Sequence, residues 1–86
     1  MYQVRLAREA QRSFDRAEAP LQRKLSRCFD SLRTRPRRHA NARPLRGSLA
    51  GYFRYRIGDW RMIYRIDQAA NIVWVVCIEH RREVYR

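Results

Sequence analysis

GYFRYRIGDWRMIYRID, residues 51–67, followed after a polar break by IVWVVCIEHRREVYR, residues 72–86, decides the fold of this chain. In an extended strand, residues two apart point to the same side. Over residues 52–57 this puts Phe53, Tyr55 and Ile57 on one face and Arg54 and Arg56 on the other. Gly58-Asp59 is a tight-turn pair, so residues 60–67 return as the second arm of a hairpin and carry Arg61 and Arg65. Residues 68–71 turn again into IVWVVCI, residues 72–78. That run is apolar on both faces and belongs in the interior of a sheet, covered on one side by helices. A sheet with one apolar face and one face armed with guanidinium groups is suited to meet phosphate.

Upstream of this core, Tyr2, Val4 and Leu6 alternate with Gln3 and Arg5, which predicts a short first strand. Ala7, Ala10, Phe14 and Ala17 then recur at helical spacing. Glu18-Ala19-Pro20 breaks that helix, and Pro20 suits the first turn of a second one. Leu21, Leu25, Cys28, Phe29 and Leu32 form its apolar stripe, and it must stop before Pro36. The short break predicts a helical hairpin. Residues 35–48, punctuated by Pro36, Pro44 and Gly47, read as a basic loop. The expected fold is α+β, in the order β-α-α-β-β-β: an antiparallel twisted sheet with a helical hairpin packed on one face.

Composition narrows the function. The chain has 86 residues, with 20 Lys+Arg against 8 Asp+Glu, for a formal net charge of +12. Residues 31–58 contain no acidic side chain but hold arginines at 33, 35, 37, 38, 43, 46, 54 and 56. Such a field favours a polyanion, above all nucleic acid. The length predicts one domain, residues 1–86. No stretch approaches the roughly 18 apolar residues that span a membrane, and the N-terminus lacks a signal-peptide core. These features predict a cytoplasmic protein without a membrane partner. Cys28 and Cys77 lie far apart and read as packing residues. No carboxylate cluster or histidine spacing predicts a metal site, and no Gly-rich loop predicts a phosphate-carrying cofactor.

Residues 45–67, LRGSLAGYFRYRIGDWRMIYRID, together with IEHRREVY, residues 78–85, resemble the RelE/ParE superfamily of toxins from bacterial and archaeal toxin–antitoxin modules. The pieces that carry the resemblance are L-x-G at residues 45–47, FRYRIGDWR at residues 53–61 and H-R-x-E-V-Y at residues 80–85. The likeness covers nearly the whole chain and implies a RelE-like, microbial-ribonuclease-type fold. It implies that the RelE branch contains ribosome-dependent endoribonucleases that cut messenger RNA in the decoding site, whereas the ParE branch inhibits DNA gyrase. Carried over by position, the family's basic active site corresponds to Arg54, Arg56, Arg61 and Arg81, with Tyr85 as its C-terminal tyrosine. The best-known RelE enzyme carries lysines where Arg54 and Arg56 stand, and it has no histidine at the place of His80, although several relatives use one nearby.

Metal-free RNA cleavage by the 2′-hydroxyl requires a proton acceptor for the 2′-oxygen, cations for the charge on the phosphoryl oxygens, and a proton for the leaving 5′-oxygen. Preorganised cations often supply the largest share, and Arg54, Arg56 and Arg61 have the fork geometry and permanent charge for it. A guanidinium is a poor base, so the base is His80 or Tyr85. Tyr85 is also suited to stacking on a neighbouring nucleobase. Arg81 would serve the leaving oxygen. Arg38, Arg43, Arg46, Arg65 and Arg82 are candidate RNA-backbone contacts. His39 reads as a solvated loop residue, Trp60 and Trp74 as core or sheet-packing residues, and Asp59 as a turn residue. Glu79 and Glu83 can pair with nearby arginines.

The function expected from this reading is a toxin that acts as a ribosome-dependent, metal-independent endoribonuclease. The alternatives are a ParE-like DNA gyrase inhibitor and a catalytically degenerate basic binding protein of the same fold. The expected partners are a small antitoxin encoded nearby, the ribosome with its messenger, and operator DNA reached through the antitoxin in a higher-order complex.

Overall fold

A computed structural model describes residues 1–37 and 39–81. The chain runs β1 (Gln3–Leu6), α1 (Arg8–Arg16), α2 (Ala19–Thr34), β2 (Ala42–Pro44), a single 3-10 turn (Gly47–Leu49), β3 (Tyr52–Ile57), β4 (Trp60–Asp67) and β5 (Ile72–His80). The strands form one mixed sheet in the order β1-β5-β4-β3-β2. The expected α+β class, helical hairpin and three C-terminal strands are all present.

Three details differ from the sequence reading. The sheet is not wholly antiparallel, because β1 pairs with β5 in parallel, Val4 opposite Val73 and Leu6 opposite Val75. The alternation of residues 2–6 reveals a strand but not its neighbour, and the two-helix crossover carries the chain back to lie alongside the last strand. The basic loop contains a fifth strand, β2, which joins the sheet edge through Ala42–Tyr55 and Arg43–Arg54 pairs. It is short and ends in Pro44, two features that blunt an exposed edge. β5 also extends two residues beyond Ile78, to His80.

The helices cover one face of the sheet. Leu25 and Leu32 of α2 and Ala10 of α1 are fully buried against Met62, Tyr64, Val73 and Val75, while Cys28, Phe29, Tyr55 and Ile78 complete the core. Phe53, Ile57 and Trp60 pack on its margin. Cys28 and Cys77 are free thiols. Among the described residues, no helix is long and apolar enough to cross a membrane.

The loop after α2 is tied down by polar contacts. The Tyr64 hydroxyl donates to the Pro36 carbonyl at 2.6 Å. Arg37 donates to the Tyr2 hydroxyl at 3.4 Å and to Gln68 Oε1 at 3.0 Å. His39 is not a solvated loop residue. Its Nδ1 accepts from the Asn41 amide at 3.2 Å, its Nε2 lies 2.8 Å from the Tyr55 hydroxyl, and its ring packs at a tilt against Tyr55 with centroids 4.6 Å apart. The reason is β2, which carries this end of the loop onto the sheet.

Candidate functional site

The face of the sheet away from the helices carries the arginines, and strand register arranges them in rows. The row nearest the β3–β4 turn is Arg56, Arg61 and Glu79. The next is Arg43, Arg54, Ile63 and Cys77, and the third is Tyr52, Arg65, Trp74 and Arg5. The expected split of β3 is seen: Tyr55 is buried among the helices while Arg54 and Arg56 occupy the opposite side.

The β3–β4 turn shapes the site. Ile57 and Trp60 pair directly, leaving the two-residue loop Gly58-Asp59, with Gly58 at a φ of 57°. A left-handed first residue followed by an ordinary one matches the right-handed twist of the strands that it joins. Asp59 is thus a turn residue, and its carbonyl accepts the Arg81 amide at 2.7 Å. That bond folds the end of the described chain onto the hairpin. The result is a cleft of about 240 Å³ lined by Arg54, Arg56, Gly58, Asp59, Trp60, Arg61 and Arg81.

Four arginines therefore line one depression. Among the described residues, no hydrogen-bond acceptor meets the buried Arg54 Nε. Leaving a buried donor of a charged group unpaired costs about 1–3 kcal/mol or more, a cost that an anion in the cleft would offset. Arg61 is oriented by Glu79, whose Oε2 accepts from Nε at 3.3 Å and from the terminal amine at 3.2 Å. This pair, about one-third exposed on each side, leaves the other edge of the guanidinium for a ligand. Arg56 is exposed at the rim. Among the described residues, no cluster of three or more His, Cys, Asp or Glu side chains could hold a metal ion.

The other expected site residues fall in different places. His80 does not join the cleft. Its register partner is Trp60, and its ring meets that indole edge-on at 5.0 Å, on the helix side of the sheet. The cause is a register irregularity: Tyr64 pairs with Val75 and Ile63 with Cys77, so Val76 is the extra residue of a β-bulge and the alternation of β5 resets there. Arg43 shares the arginine face and donates to the Ala40 and Ala42 carbonyls at 3.4 Å. Arg46 is exposed beside the 3-10 turn. Arg65 lies on the same face, farther along β4. Arg38, Arg82, Glu83 and Tyr85 lie outside the described residues.

Trp74 is a sheet-packing residue, one of the two roles expected of it, but not a core one. It belongs to the arginine face and not to the helix-side core, and the guanidinium carbons of Arg65 and Arg5 sit 5.9 Å and 6.0 Å from its ring centroid. The doubly apolar run around it hides this, and the outward position of Arg5 in β1 is the one sequence signal pointing to it. Burial pushes the Cys28 thiol up to about 12, and it pushes Cys77 up to about 12 with help from the charge of Glu79. Both thiols are held protonated and act as packing groups, as expected.

Solved structures share this architecture. The toxin–antitoxin complex RelBE2 of Mycobacterium tuberculosis matches with a TM-score of 0.81 and 31% identity, over 93% of this chain and 98% of that one. The isolated Escherichia coli RelE toxin matches with a TM-score of 0.80 over 99% of this chain and 92% of that one, at 20% identity. Residues 4–85 match the family described as the ParE toxin of type II toxin–antitoxin systems, parDE, and the chain belongs to that family within the RelE/ParE superfamily. Toxin RelG of Mycobacterium tuberculosis is 43% identical over 44 residues, a stretch that covers 51% of this chain and 51% of that protein. The match thus spans about half the length of that curated relative.

Proposed function

We propose that this toxin is an endoribonuclease that cuts messenger RNA on the ribosome. The observation that carries the reading is that Arg54, Arg56, Arg61 and Arg81 line one cleft, with a buried Arg54 Nε that meets no acceptor among the described residues. In the proposed reaction the 2′-oxygen attacks the adjacent phosphorus and the bond from phosphorus to the 5′-oxygen breaks. The products are a 2′,3′-cyclic phosphate and a 5′-hydroxyl end. Arg54 and Arg61 hold the phosphoryl oxygens as negative charge builds, the role in which one preorganised donor is worth about 10²–10³-fold in rate. Arg56 guides the strand into the cleft. Arg81, anchored by Asp59, neutralises the charge on the leaving 5′-oxygen, which takes its proton from water. His80 is not among the residues that line the cleft, so the proton of the 2′-hydroxyl is assigned to Tyr85 or to a group on the ribosome. Ribosome dependence follows, because the ribosome would align the strand for in-line attack, and positioning alone is worth about 7–11 kcal/mol.

Induction of the chain followed by mapping of transcript 5′ ends tests this. Codon-phased cuts with 5′-hydroxyl ends in translated messages are expected. Efficient cleavage of naked messenger by purified protein would remove the ribosome requirement. A second reading, gyrase inhibition, is favoured by the ParE description of the matching family. Intact transcripts with a DNA-damage response would establish it, and intact transcripts with no toxicity would leave a degenerate binding protein.

The same reading includes a cytoplasmic site of action and an antitoxin. RelBE2 was solved as a toxin–antitoxin complex. A free toxin of net charge +12 needs a neutralising partner. A small protein encoded nearby, folding on this chain and placing carboxylates on the arginine face, fits. Operator DNA would be reached through that partner.

A further inference from the structure

We infer that the row Tyr52–Arg65–Trp74–Arg5 is a stacking platform for single-stranded RNA, continuing the arginine cleft along the open face of the sheet. The inference rests on the RNA-cleaving reading for its ligand, but it concerns residues outside the cleft. The four side chains are register partners on four adjacent strands, so cation and aromatic alternate across the sheet, β3 to β1. Neighbouring strands are about 4.8 Å apart, which makes the row about 14 Å long. Trp74 is half-buried, and both flanking guanidiniums lie against its ring. Among the described residues neither arginine is tied to an acid, the ion pairs there being Arg33–Asp30 and Arg61–Glu79. Asp67, the carboxylate nearest along β4, accepts the Ala70 amide of the following turn.

Indole, phenol and guanidinium planes all stack on nucleobases, and interleaved cations meet the backbone between them. An acidic peptide would use the two charges and leave the aromatic planes without a role, which is why a nucleic acid strand is the better occupant. The distance also fits. Four residues of β4 separate Arg65 from Arg61, about 13 Å, or about four stacked nucleotides at 3.4 Å each. A strand with its phosphate in the cleft would therefore lay nearby bases on Trp74.

The test uses the full chain and a 2′-O-methylated single-stranded RNA of about 12 nucleotides, which spans the face and cannot be cut through its 2′-oxygen. Trp74→Ala is expected to weaken binding on the order of tenfold, as loss of one stacked base does. Trp74→Phe should retain most of the affinity, and Arg65→Gln should lower the salt slope by about one. In a Trp60→Phe background Trp74 is the sole indole, and the RNA should quench its fluorescence. Wild-type affinity in a folded Trp74→Ala chain, or no quenching, would overturn the inference. An equal loss against duplex RNA would also overturn it, since a duplex offers no free base faces. Loss of antitoxin co-purification with RNA binding intact would assign the face to a protein instead. If Arg61→Ala cuts messenger at the wild-type rate while the Trp74 dependence of binding persists, the cleft reading fails and the platform stands.

Discussion

At the scale of single residues, the cleft separates what holds the fold from what meets a ligand. Arg61 and Glu79 form a partly exposed pair, and such pairs contribute about 0–1 kcal/mol. Arg61→Ala and Arg81→Ala are therefore expected to melt close to the parent while losing about 10²–10³-fold in cleavage rate, and with it growth inhibition. Calorimetry and induced-growth curves check both halves, and full toxicity in both variants would refute the site. Tyr64 behaves in the opposite way. It is fully buried, stacks on Phe53 at 5.3 Å and donates to the Pro36 carbonyl. Tyr64→Phe keeps the stack but strands a buried carbonyl, at a cost of about 1–3 kcal/mol. In a chain of this size each kcal/mol lowers the melting temperature by about 4–8 °C. The cleft itself should be unchanged, so the rate well below the melting point should match the parent.

Among the elements, the β3–β4 hairpin positions the site. Its turn needs a left-handed residue at Gly58, and a side chain added there would meet no atom within 4 Å. Any penalty is therefore one of backbone conformation and not of packing. Gly58→Val is expected to cost about 1–3 kcal/mol, while Gly58→Ala, which lacks the β-branch, should cost less. Denaturant unfolding of the two variants distinguishes them; equal destabilisation would mean that the β-branch adds no strain at this φ. Because Asp59 holds Arg81 through its carbonyl, the valine variant should also lose activity beyond its loss of stability. At the other end of the sheet, α1 leads directly from the β1 edge, with the Ala7 amide donating to the Val75 carbonyl at 2.8 Å, and this bond seats the helical hairpin over β5.

For the whole molecule, charge and titration set the limits. With a net charge of +12, self-repulsion opposes compactness, and added salt or an acidic partner relieves it. Alkaline pH acts through the core. Burial holds the Cys28 and Cys77 thiols at about 12, against an ordinary 9.0, and the Tyr55 hydroxyl at about 12, against 10.0, where the nearby Cys28 adds to the effect. Tyr64 is raised as well, chiefly by burial. Between these ordinary and raised values the unfolded chain releases protons that the folded chain keeps. Stability is thus unaffected by these groups at neutral pH, and it falls as pH climbs from about 9 towards 12. Circular dichroism across that range should show a progressive loss of folded signal. Native thiols should also resist alkylation at pH 8 and react once denatured. A flat profile from pH 9 to 11 would contradict the burial of these groups.

Sequence by itself determined the elements and the face of each that is buried. Alternation and helical periodicity are local consequences of backbone geometry, so Tyr55 inward, Arg54 and Arg56 outward, and the Leu25–Leu32 stripe were all legible. The turn at Gly58-Asp59 was legible too, because only certain residues accept its dihedral angles. Strand neighbours were not, since a strand's pattern names its buried side but not its partner. β1 therefore pairs unannounced with β5, and β2 emerges from what reads as a loop. The bulge at Val76 was equally hidden within a run that is apolar on both faces. Strict alternation from Val73 and Val75 would send His80 to the arginine face and Glu79 to the core. The extra residue reverses both, so Glu79 meets Arg61 and His80 meets Trp60. That one step of register, a tertiary choice that keeps Ile78 in the core, decided which titratable group pairs with Arg61 of the cleft.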